Sequence, residues 1–92
     1  MLEVKDNELR LYGEIGGYFE GGISAKEFAS VLDSADGDLK LYLNSDGGDV
    51  FDGLAIYNQI SRYPHDVTVV VDSLAASIAS VIAMAADELV MM

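Results

Sequence analysis

Apolar and polar positions alternate from Glu8 to Ile15, with Leu9, Leu11 and Ile15 on one side and Arg10, Tyr12 and Glu14 on the other. A period of two predicts a strand with one buried face. Gly16, Gly17, Gly21 and Gly22 then surround Tyr18 and Phe19, the composition of a loop. After it the period changes. Ser24 to Glu27 has the Ser-x-x-Glu form of a capping box, which opens a helix. Phe28, Val31, Leu32 and Ala35 follow at i, i+3, i+4 and i+7 as one helical stripe, and Asp36-Gly37 closes it.

Leu39 to Leu43 predicts the next strand, followed at once by Asn44-Ser45-Asp46-Gly47-Gly48-Asp49. A helix is expected over Val50 to Arg62, carried by Leu54, Tyr57 and Ile60. Pro64 stops it, because the residue before a proline is pushed out of the helical region. Val67 to Val71 is a β-branched run of the kind buried on both faces of a sheet. Ala75 to Ala86 reads as an alanine-rich helix, and Glu88 to Met92 as the start of another apolar strand. Strands alternating with helices through short loops predict an α/β domain with a mainly parallel sheet and right-handed βαβ crossovers. Ligands in such sheets bind beyond the carboxyl ends of the strands. Asn44 to Asp49 and Asp72 to Ala76 are expected there as two loops facing one another across a cleft.

Composition narrows what that cleft can do. The chain has 92 residues, too few for more than one domain, and 51% of its positions are hydrophobic, too many for disorder. It has no cysteine, which excludes disulfides, zinc–thiolate sites and a thiol nucleophile. Its net charge of −11 argues against nucleic acid, whose backbone needs clustered Lys and Arg. Residues 1–52 hold twelve of the sixteen acids, so the remainder reads as core and interface. The most apolar run, the thirteen residues Leu74 to Ala86, is short of the roughly twenty that a membrane span needs. Met1 to Leu11 lacks the apolar core of a signal peptide.

Gly47 and Gly48, lying between a strand and a helix, leave backbone N–H groups unshielded, suited to cradling a phosphate or stabilising an oxyanion. The same pair serves equally as a tight turn. Asp46 and Asp49 beside it repel a phosphate, and the spacing does not fit a calcium-binding EF-hand loop. Asp49 and Asp52 are more simply helix N-terminal charges. Ser77, at the start of the alanine-rich helix, meets free amides and the positive end of a helix dipole, which suits a nucleophile; a capping or packing serine fits there too. His65 is the only histidine and sits at the amino end of the Val67 strand. Five or six residues at about 3.3 Å each put it roughly 15–20 Å from Ser77, far beyond hydrogen-bond reach. Lys5, Lys26 and Lys40 have no evident route to Ser77 either.

Two segments together resemble a known family. Leu41 to Tyr57, containing Asn-Ser-Asp-Gly-Gly, is similar to the glycine-loop segment of the proteolytic subunit of Clp protease, and Ala75 to Asp87, containing Ala-Ala-Ser, to its nucleophile segment. Their order and interval also agree. The strings around Val50 to Asn58 and Ala75 to Ala85, with the Gly-Gly-Ile-Ser-Ala-Lys entry to the first helix, most resemble the Clp-like head-maturation (prohead) proteases of phages and prophages. The resemblance runs from about Glu8 to Met92 and implies the fold shared by Clp proteases and crotonases. It further implies a serine endopeptidase with Ser77 as nucleophile, the N–H groups of Gly48 and Ile78 as oxyanion hole, and Gly47 and Val50 flanking the bound peptide. No cofactor or metal is implied.

Asp46 stands where the family usually has proline, and Ser73 where glycine is usual. The family's histidine and aspartate lie beyond the position of Met92. The expectation is therefore a single partial domain over residues 1–92, the N-terminal half of the fold, without peptidase activity of its own. Uncovered apolar surface, expected in Val67 to Met92, predicts association with a missing half or with neighbouring subunits. The resemblance implies a homo-oligomeric ring in the bacterial cytoplasm, acting on a peptide or on a capsid or scaffold protein, with an ATPase partner left open. Two other classes remain: a non-catalytic scaffold, and a crotonase-type acyl-CoA enzyme using a similar oxyanion hole.

Overall fold

The computed structural model describes residues 2–16 and 23–91. Eight elements follow one another: β1 (Leu2–Lys5), β2 (Glu8–Tyr12), α1 (Ala25–Asp33), β3 (Leu39–Ser45), α2 (Val50–Arg62), β4 (Val67–Ala75), α3 (Ile78–Ala83) and β5 (Glu88–Met91). They form one five-stranded sheet in the order β1-β2-β3-β4-β5. β2 to β5 run parallel, as the alternation of strands and helices requires, and β1 joins β2 antiparallel.

The hairpin of β1 and β2 is not anticipated by the sequence pattern. It turns on Asp6 and Asn7, at φ 53° and 62°. Two successive left-handed residues twist the chain as a tight hairpin needs, and Asn and Asp tolerate that conformation best after glycine. Asn7 also bonds the carbonyl of Asp36, tying the turn to the end of the α1 connection.

β2 is shorter than the alternation suggested, ending at Tyr12 rather than Ile15. Gly13 N–H donates to Asn44, and the chain leaves the ladder before returning at Ile15, which bridges both Ile23 and Gly48. The expected glycine loop falls on residues 17–22, outside the described residues. The capping box opens α1 as read: Ser24 Oγ accepts from Glu27 N–H at 3.1 Å. α2 matches its expected span and stops at Arg62, two residues before Pro64.

The larger correction lies after Val71. Asp72 to Ala76 is not a loop: β4 continues to Ala75, which pairs with Ser45 after the register shifts between Leu43 and Ser45. The helix that follows spans Ile78–Ala83, not Ala75–Ala86. Small side chains permit a strand here as readily as a helix, and the free carbonyl of Ser45, which takes Ala76 N–H, decides between them.

The core lies on one face of the sheet. Leu9, Leu11, Leu41, Leu43, Val67, Val69 and Val71 form a single cluster with Phe28, Ile56, Ile60, Ile78 and Ile82 of the helices. Gly53 lets α2 and α3 meet, since a Cβ there would fall well under 3.0 Å from Ile78 Cγ1. The opposite face carries Arg10, Tyr12, Tyr42 and Asp72. Tyr12 Oη donates to Asp72 Oδ2 at 2.8 Å, joining β2 to β4 across β3. That bond is the main reason the Tyr12 phenol is held above its ordinary pKa, with burial and the Asp72 charge adding to it. Among the described residues, no helix is long and apolar enough to cross a membrane.

Two predictions follow from this packing. Gly53→Ala should destabilise the chain, because overpacking costs about 1–3 kcal/mol, against about 1 kcal/mol gained in helix propensity. Urea unfolding of a variant as stable as the parent would show that α2 and α3 separate freely. For Tyr12, a raised folded pKa means the unfolded chain loses its phenol proton first. The linked stability is therefore complete below about pH 10 and falls as pH rises beyond it. Tyr12→Phe should be less stable at pH 8 yet decline less steeply between pH 10 and 11, measured by thermal unfolding across that range; an unchanged slope would rule out the linkage.

Candidate active site

At the carboxyl ends of β3 and β4 the glycine turn and Ser77 come together. A Cβ on Gly47 would stand 2.8 Å from Ser77 Cβ and 3.3 Å from Ser77 Oγ, so only glycine lets the turn lie this close. Gly48 is confined on the other side, where a Cβ would run into the carbonyl of Ile15. Both adopt φ values reserved for glycine, 110° and 146°.

Two main-chain bonds orient the turn. Ile15 N–H donates to Gly47 O at 2.9 Å, and Asp49 N–H donates to Ile15 O at 2.9 Å. A trans peptide points its C=O and N–H in opposite directions. The bond from Ile15 to Gly47 O therefore turns the Gly48 N–H away from β2. Asp49 then caps α2, its carboxylate accepting from Phe51 N–H at 2.8 Å and Asp52 N–H at 3.2 Å. Asp52 in turn accepts from Ala25 N–H at the head of α1, at 3.0 Å. Both aspartates lie at the N-terminus of α2, as the sequence reading of them as helix-terminal charges expected, and both also act as acceptors, Asp52 for the head of a different helix.

Ser77 occupies the N-cap of α3 in an unusual conformation, φ 54° and ψ −130°, and its side chain makes no cap bond. A non-glycine residue there carries about 1–3 kcal/mol of strain, which surrounding structure must over-determine. Ala79 N–H and Ser80 N–H donate to the carbonyls of Ala76 and Ser77. The Ile78 N–H is thereby left without an acceptor among the described residues, as is that of Gly48. An exposed hydroxyl thus stands beside a glycine turn, with one unpaired amide on the residue after it and another on the residue after Gly47. A carbonyl drawn to that hydroxyl would find donors for its oxygen.

The other expected residues are distributed as follows. Gly47 is buried beside Ser77, and Val50 opens α2 half exposed. Phe51, next to it, is 85% exposed. His65 is exposed at the amino end of β4, edge-on to Tyr63 with ring centres 5.7 Å apart. Since β4 runs nine residues rather than five, at about 3.3 Å per residue His65 lies some 25–30 Å from Ser77, farther than the sequence alone suggested. Among the described residues, no cluster of His, Asp and Glu could hold a metal ion.

Two contributors escaped the sequence reading. Ile15 acts through its main chain, which no residue type announces. Ser45 is buried and accepts from Gly47 N–H at 3.1 Å. A serine two residues before a glycine is a recognised turn signal that would have found it.

Comparison with known proteins identifies the family and the fold. Residues 4–91 match the Clp protease family. The chain belongs to that family. It is 35% identical over 82 residues to the ATP-dependent Clp protease proteolytic subunit of Ligilactobacillus salivarius, covering 89% of this chain and 42% of that protein. A 45-residue stretch is 49% identical to ATP-dependent Clp protease proteolytic subunit 3 of Rhodococcus jostii, covering 49% of this chain and 22% of that one. Among solved structures, the ClpP protease catalytic domain from Plasmodium falciparum superposes with a TM-score of 0.72 at 29% identity, over 88% of this chain and 45% of the other. A ClpP1 mutant from Listeria monocytogenes gives 0.69 at 24% identity, over 87% and 46%, a likeness of fold. The α/β fold with its parallel sheet is therefore that of Clp protease catalytic domains, and the chain spans less than half the length of these relatives.

Gly48→Ala should unfold or displace the turn, costing about 3 kcal/mol, the upper end for a strained residue. Gly37→Ala is the control: it also has positive φ, 87°, but its Cβ would meet nothing closer than 3.8 Å. Equal losses in chemical denaturation would mean that the Ile15 carbonyl does not confine Gly48.

Proposed function

We propose that this chain is the N-terminal half of a Clp-like serine endopeptidase, with Ser77 as nucleophile and the N–H groups of Gly48 and Ile78 as oxyanion hole. The observation that carries the reading is the exposed, unbonded Ser77 hydroxyl pressed against Gly47. In the reaction, Ser77 Oγ adds to the peptide carbonyl carbon while its proton passes to a histidine. The carbonyl electron pair moves to oxygen, where the Gly48 and Ile78 amides receive the charge. Collapse breaks the C–N bond, the histidine returns the proton to the leaving amine, and water releases the acyl group. Gly47 and Val50 flank the peptide.

The histidine has to come from polypeptide outside residues 1–92, since His65 is at the far end of β4. The 92-residue chain is therefore inactive alone and acts with its complementary half, in a homo-oligomeric ring in the bacterial cytoplasm, without metal or cofactor. The narrower reading is a head-maturation protease acting on a capsid or scaffold protein, supported by the Val50 to Asn58 and Ala75 to Ala85 strings. The remoteness of His65 also favours a second reading, a Clp-like scaffold without catalysis. A crotonase-type acyl-CoA enzyme is less well supported, because a chain of net charge −11 offers little to the phosphates of that substrate.

Labelling with a fluorophosphonate serine probe, alongside intact mass, separates these readings. The 92-residue chain should take no label. A longer natural product carrying the histidine should be labelled, with at least a hundredfold loss in Ser77→Ala. Labelling of the 92-residue chain would overturn the claim that its base is missing. A longer product that takes no label would favour the scaffold.

A further inference from the structure

Ser45 is the buried polar residue of the described core, 2% exposed at a position flanked along β3 by the buried Leu41 and Leu43. A hydroxyl in such surroundings is costly unless bonded. Its Oγ accepts from Gly47 N–H at 3.1 Å. Its main-chain carbonyl accepts from Ala76 N–H, also at 3.1 Å. The side chain thus anchors the glycine turn, and the main chain anchors the residue before Ser77. Strand pairing needs only the carbonyl, so the hydroxyl serves the turn alone.

Gly47 is held at both ends: its N–H by Ser45 Oγ, and its C=O by Ile15 N–H with a longer bond at 3.5 Å from the Ser45 hydroxyl. Glycine has no Cβ to limit its rotation. With the Ser45 bonds removed, the peptide joining Gly47 to Gly48 pivots on the bond from Ile15, and the Gly48 N–H swings relative to Ser77.

We propose that Ser45 is a positioning residue: its hydroxyl sets the direction of the Gly48 N–H at the site of Ser77, without touching substrate. The inference rests on the reading of Ser77 as nucleophile and Gly48 as oxyanion donor.

The test uses the longer, histidine-carrying product of the labelling experiment, enriched in ¹⁵N. It is titrated with a peptidyl boronic acid, which forms a tetrahedral adduct with a serine hydroxyl, and separately with the unreactive peptide amide. In the parent, the boronate should move the Gly48 and Ile78 amide signals downfield, and Ser77→Ala should abolish this. Ser45→Ala should weaken the boronate about tenfold, the worth of one neutral hydrogen bond, and leave the amide ligand within about twofold. Ser45→Thr, which keeps the hydroxyl, should restore it. Equal weakening of both ligands, or of neither, overturns the proposal while leaving the nucleophile reading intact. A boronate that binds Ser77→Ala as well as the parent, or forms no adduct with the parent, overturns the nucleophile reading instead. The ligand-free spectra then decide for Ser45. The Gly47 amide should lose its exchange protection and its cross-peak to Ser77 in Ser45→Ala, and regain both in Ser45→Thr. If both persist in Ser45→Ala, the proposal fails. Should Ser45→Ala not fold, Ser45→Cys, similar in size but a weaker acceptor, takes its place with the same criteria.

Discussion

Backbone lies against backbone where Gly47 and Gly48 pass between Ile15 and Ser77, and no side chain fits on either side. The local architecture follows from this. The turn can be this narrow only because both residues adopt φ values that cost glycine little. The Ile15 bonds and the Ser45 hydroxyl together hold the Gly47–Gly48 peptide, and the next residue, Asp49, is left in position to cap α2. On the other side, the shift of register at Leu43/Ser45 carries β4 onward to Ala75, delivering Ser77 to the same place.

The acidic excess fits the same economy of main-chain groups. Among the described residues the ion pair is Glu8 with Arg10, both partly exposed, and such pairs contribute little. The carboxylates instead accept backbone N–H groups that strands and helices leave over. Asp49 and Asp52 do so at the heads of α2 and α1, and Asp38 takes Asp66 N–H at 3.2 Å. Asp87 takes Val67 N–H at 2.8 Å, where β4 begins. Each joins segments distant in sequence or closes an element end. A chain of net charge −11 can thus fold with few countercharges, because many of its acids are hydrogen-bond acceptors at defined positions.

How much of this the sequence disclosed depends on the range of the forces involved. α2 was legible from Val50 to Arg62 because its stripe and Pro64 act locally. Leu9, Leu11, Leu41 and Leu43 are buried as alternation requires. The run Val67 to Val71 reads as buried on both faces, and even Val70, on the side away from the helices, is 7% exposed beside Tyr42 and Val90. The β1 hairpin was missed because Asp6-Asn7 lacks the glycine that marks most such turns. The end of β4 was misassigned because alanine and serine fit strand or helix, and the deciding hydrogen bond comes from Ser45, thirty residues earlier. Ser77 itself was legible by position, while its conformation and its contact with Gly47 were not, since both arise from long-range pairing.

Two serines show what that pairing achieves. Ser24 and Ser77 both stand at helix N-caps. Ser24 has an extended backbone, φ −86° and ψ 158°, and its hydroxyl accepts from Glu27 N–H. This is the low-energy arrangement, and it occupies the oxygen. Ser77 is twisted to φ 54°, caps nothing and remains exposed. Hydrogen bonds on both sides hold it so. Ala76 N–H is fixed by Ser45, the Ala76 carbonyl by Ala79 N–H, and the Ser77 carbonyl by Ser80 N–H and by Ser80 Oγ at 2.6 Å. At about 1 kcal/mol each, a few such bonds suffice to offset the strain of one residue. The strain in turn keeps the hydroxyl from the helix amides it would otherwise cap. The Ala79 and Ser80 amides are taken by the Ala76 and Ser77 carbonyls instead, and the hydroxyl stays available together with the Ile78 amide.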